Sequence, residues 1–105
     1  MFYQTRILRA LSELGYTTDI NESRKLLLED SIRSKMNWGK RPRTGALVYL
    51  LVQIESNIDK DPETWAPIAR KAIATASGWV SKEDAESTGI KYFLDRLVAA
   101  TKGKI

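Results

Sequence analysis

An all-α fold, a compact bundle of four to five helices in a single domain over residues 1–105, is what the sequence predicts, on three observations. Five segments repeat apolar residues at three- and four-residue spacing, the period of a helix with one buried face. Glycines, prolines and short polar side chains suited to capping stand between those segments. Only one stretch, ALVYLLVQI at 46–54, reads equally well as a strand. No second such run exists to pair with it, so in a sheet its backbone groups would go unsatisfied.

Each element has its own reasons. In the first helix Phe2, Tyr3, Ile7, Leu8, Leu11 and Leu14 form the apolar face, with Gln4, Arg6, Arg9 and Glu13 opposite. Gly15 can take the left-handed conformation that stops it, placing Tyr16 against Leu11. A capping box with Asp19 and Glu22 starts the second helix, whose buried stripe is Leu27, Leu28, Ile32 and Met36. The third, capped by Thr44, keeps Leu47, Leu51, Ile54 and Ile58 in register and is apolar on most sides, as a central helix should be. Pro62 suits the opening turn of the fourth, Thr64 is the expected cap, and Pro67 belongs within the first turn if it is not to remove a hydrogen bond. That helix carries Trp65, Ile68, Ala69, Ala72, Ile73, Ala76, Trp79 and Val80 on one face. After a second capping signal at Ser81, a short helix over 82–87 is expected to bend near Gly89 into a last helix that buries Ile90, Phe93, Leu94, Leu97 and Val98. The tail from about residue 101 is expected to fray.

Composition removes several classes of function. The chain has no histidine and no cysteine. That excludes the commonest general base, thiolate nucleophiles, disulfides and the two commonest transition-metal ligands. Asp59, Asp61 and Glu63 imitate the start of a calcium loop, but Thr64 stands where the loop needs glycine and Arg70 where it needs its final glutamate. Neither a phosphate-binding glycine loop nor a nucleophile motif is present, so no cofactor, no metal and no enzymatic activity are expected. Arg6 and Arg9 interrupt the N-terminal segment, so it does not read as a signal peptide. No later run approaches the ~20 apolar residues of a membrane span. A cytoplasmic protein without a membrane partner is the expectation.

Charge is the one functional signal. Between Arg24 and Arg43 seven cations, Arg24, Lys25, Arg33, Lys35, Lys40, Arg41 and Arg43, face two carboxylates, a local excess of +5 in a chain whose net charge is +4. The rest of the chain therefore carries about −1, and the positive charge has the localisation that phosphate binding needs. Trp38 adjoins the cluster and could stack on a base, and Pro42 stiffens the connector that presents Lys40, Arg41 and Arg43. The expected function is thus a small non-enzymatic binding or regulatory protein, with a nucleic acid as the favoured partner. The alternative is a protein–protein adaptor or inhibitor that uses Trp65, Ala69, Ala72, Ala76 and Trp79, or a homodimer through the same strip if the chain leaves it uncovered.

Overall fold

Proline at the first position and a run of large aliphatics behind it make the segment after the basic connector a helix, and three of the other four pack against it. The structure, a computed structural model, describes residues 3–33 and 41–105, with side chains for 6–26 and 41–105. Helices α1 (Tyr3–Glu13), α2 (Ile20–Arg33), α3 (Pro42–Asn57), α4 (Pro62–Val80) and α5 (Ser87–Thr101) follow in order. There is no strand among the described residues. The Cα radius of gyration is 13.2 Å, close to the ~13 Å of a compact domain this long. The all-α reading holds.

α3 packs against α1, α4 and α5, α4 packs against α5, and α2 rests on α1. The central position explains why α3 is apolar nearly all round: Ala46, Leu47, Leu50 and Ile54 are wholly buried, and Leu51 and Ile58 almost so. Each leucine or isoleucine among them contributes about 1.5–3 kcal/mol on leaving water. α4 brings alanines to the same core, Ala69, Ala72 and Ala76, whose small side chains let its backbone come close to its neighbours.

Helix ends show what short-range chemistry decides. α1 closes in a Schellman motif, Tyr16 N–H donating to Leu11 C=O at 3.0 Å and Gly15 N–H to Ser12 C=O at 2.9 Å. Gly15 has φ +91°, and a Cβ there would meet Lys71 Cγ at 2.6 Å, so both conformation and space require glycine. Asp19 caps α2 by accepting from Glu22 N–H at 2.7 Å. The reciprocal half of the capping box is absent, because the Glu22 carboxylate instead accepts from Tyr16 Oη at 2.7 Å and from Tyr49 Oη.

Other expectations are corrected. Thr44 does not cap α3 with its own side chain; the helix starts at Pro42, and Glu86 supplies the acceptor from the turn before α5. Asp61, not Thr64, caps α4, accepting from Thr64 N–H at 3.3 Å. Pro67 lies inside α4 past the first turn, on the exposed side where water can solvate the carbonyl it deprives of a partner. The segment 82–86 is a turn with Glu83 at φ +49°, not a short helix. Val98, expected inside, is 46% exposed. One turn of helix away, Thr101 is fully buried instead, its hydroxyl donating to Leu97 C=O at 2.8 Å. Gly103 at φ +80° and a Lys104–Asp59 ion pair at 2.8 Å then tie down a tail that composition alone would leave frayed. Leu26 is the buried residue of α2 among those described; the side chains of Leu27, Leu28, Ile32 and Met36 lie outside them, as does Phe2.

Candidate functional site

The start of α3 is where the predicted basic cluster meets the folded core. Arg41 occupies the N-cap position and is exposed. Two residues on, Arg43 turns back toward the turn before α5. Its Nη2 donates to Asp84 Oδ2 and its Nε to Glu86 Oε1 at 3.2 Å, and its Cζ lies 5.8 Å from the ring centroid of Trp79. The other oxygen of Glu86 accepts from Thr44 N–H at 2.9 Å and from Thr44 Oγ1 at 3.1 Å. One buried carboxylate thus caps α3 and holds an arginine of the same turn. The turn that delivers it is shaped locally: Glu86 N–H donates to Asp84 Oδ1 and Asp84 N–H to Ser87 Oγ.

Electrostatics follow the geometry. Burial by itself opposes the Arg43 charge, but the bonds to Asp84 and Glu86 outweigh it and push the guanidinium pKa up. The same contact holds the Asp84 carboxyl below its ordinary range, helped by the Glu86 N–H. Arg43 is therefore not a freely presented cation, as its place in the sequence suggested, because two carboxylates distant in sequence already meet its charge.

Beside it lies an open groove of about 240 Å³ between α1 and the start of α3, lined by Arg6, Arg9, Ala10, Glu13, Pro42 and Arg43. Arg6, Arg9 and Glu13 fall on one face of α1 because they are three and four residues apart. Both arginines are exposed, and among the described residues neither is ion-paired. Sequence reading gave these two arginines no role beyond the wet face of a helix. No local count could join them to Pro42, more than thirty positions away.

The other expected contacts divide. Arg24 and Lys25 are exposed on α2, outside the lining of the groove. Lys35, Trp38 and Lys40, and the side chain of Arg33, lie outside the described residues. The strip proposed for an adaptor is already covered: Ala69, Ala72 and Ala76 have no exposed surface and Trp79 only 5%. Trp65 is half-buried beside Tyr16, their ring centroids 6.0 Å apart. The alanines and Trp79 of that strip are thus covered within the chain, while Trp65 keeps part of its surface exposed. Among the described residues no group of three metal-ligating side chains converges, and no helix is long and apolar enough to cross a membrane. Comparison with protein-family models, with curated proteins and with solved structures gives no match. The functional reading therefore rests on the groove and its charges, which can hold an oxyanion by planar, multiply donating guanidinium groups.

Proposed function

We propose that this protein is a small non-enzymatic binding protein whose partner is a nucleic acid, held by its phosphates on the basic surface around the start of α3. The observation that carries the reading is that Arg6 and Arg9 of α1 share one groove with the Pro42–Arg43 turn, next to exposed Arg41. Cations from two separate parts of the chain are thereby concentrated where an extended anion can touch several at once. Arg24 and Lys25 add exposed charge on α2. Exposed arginines that have no ion-pair partner among the described residues lose little on binding phosphate, whereas Arg43 serves by fixing the turn that presents Arg41.

Fluorescence anisotropy with labelled single-stranded and duplex oligonucleotides over a range of salt tests this. Binding should weaken steeply with salt, and replacing Arg6, Arg9 and Arg41 by glutamine should reduce the log–log slope by about one unit per phosphate contact removed. Absence of salt-dependent binding to every probe at low ionic strength would refute the proposal.

A further inference from the structure

The groove is not uniformly basic. Glu13 lines it one helical turn from Arg9, yet among the described residues its carboxylate pairs with neither arginine. Pairing at that spacing is the ordinary fate of such a carboxylate on a helix surface. Here Glu13 lines the same opening as Arg6 and Arg9.

A ligand of this groove must therefore satisfy two requirements at close quarters. It must bring an anion to Arg6 and Arg9, and a hydrogen-bond donor to Glu13, which would otherwise repel the anion. A DNA backbone carries only acceptors. An RNA backbone carries on every sugar, beside the phosphate, a 2′-hydroxyl that can donate. Base amines are donors too, but among the described residues no aromatic side chain lines the groove on which a splayed base could stack. The volume, about 240 Å³, is below the roughly 300–1,000 Å³ of pockets that enclose a drug-sized ligand, and it suits a sugar–phosphate unit lying across it.

We infer that the groove between α1 and the start of α3 takes the sugar–phosphate backbone of RNA in preference to DNA, with Arg6 and Arg9 on a phosphate and Glu13 accepting from a ribose 2′-hydroxyl. The inference rests on the nucleic-acid binding proposed above and adds the substrate class and the discriminating residue.

The test compares one single-stranded sequence in three chemistries, RNA, DNA and 2′-O-methyl RNA, by anisotropy at several salt concentrations. Wild type should bind RNA roughly fivefold or more tighter than the other two, the effect of one charge-assisted hydrogen bond in an open site. Glu13→Ala should bring the three affinities together, mainly by tightening DNA. The pair Arg6→Gln, Arg9→Gln should weaken all three and lower the single-strand salt slope by about 0.7, the share of the one phosphate they hold. A control with the same loss of charge outside the groove, Lys91→Gln with Arg96→Gln, should leave the slope unchanged. All these positions are exposed, and unchanged circular dichroism confirms the fold of each variant. Salt-dependent binding that ignores the 2′-hydroxyl and Glu13, or that responds to the groove pair no more than to the control, overturns the inference while the nucleic-acid reading stands. Loss of binding to every probe removes both.

Discussion

Glu86 shows how much one residue can join. Its carboxylate is buried, satisfies the Thr44 backbone N–H that α3 cannot satisfy itself, and neutralises Arg43. Truncation leaves a part-buried donor and a part-buried guanidinium without that partner. Glu86→Ala should therefore cost about 1–2 kcal/mol, seen as a melting temperature lower by roughly 5–10 °C. Glu86→Gln, which keeps an acceptor oxygen, should lose clearly less. Asp84 adds a pH dependence of known sign. Its pKa is depressed in the folded protein, chiefly by Arg43, so its stabilisation is complete above the unfolded value and lost as pH falls through the lower folded one. Wild type should be more stable than Asp84→Asn in urea at pH 7, and the difference should shrink as pH falls below about 4. A constant difference would show that Asp84 acts by packing and not by charge.

At the scale of elements, two helical glycines separate propensity from packing. Gly78 in α4 has nothing within 4 Å of where a Cβ would stand, whereas at Gly89 in α5 a Cβ would come within 3.3 Å of Thr44 Cγ2. Thr44 cannot easily give way, since Glu86 holds both its N–H and its hydroxyl. Gly78→Ala should stabilise the protein by up to about 1 kcal/mol, the ordinary helix gain. Gly89→Ala should show none of that gain, because it pushes α3 and α5 apart at their N-terminal ends. Chemical denaturation of the two variants decides the matter, and equal gains would mean that the α3–α5 contact is loose. Gly89 reads in the sequence as a helix bend. Its real reason, close approach of α3, depends on a residue 45 positions earlier.

The whole molecule is organised by α3. Because α1, α4 and α5 all bury surface against it, a cavity there weakens every interface at once. Ile54→Ala, at a fully buried site, should cost about 2–5 kcal/mol. Helix content by circular dichroism and tryptophan fluorescence should still fall in one coincident transition. Separated transitions would show that α4 and α5 form an independent unit.

The sequence by itself determined the helical class, the order of the five elements, the apolar faces of α1, α3 and α4, the stop of α1 at Gly15 and the start of α2 at Asp19. These rest on 3.6-residue periodicity and on caps whose partners lie within a few residues. Only the tertiary structure decided the rest, for the same physical reason in each case: the deciding partner is remote in sequence. Glu22 leaves its capping box for Tyr16 and Tyr49, Thr44 takes its acceptor from Glu86, and Arg43 gives its charge to Asp84 and Glu86. Arg6 and Arg9 acquire a candidate role when the packing of α1 against α3 sets them on the same groove as Pro42. A count of charges along the chain finds where cations are abundant, but folding chooses which carboxylates reach them and so which cations remain open to a partner.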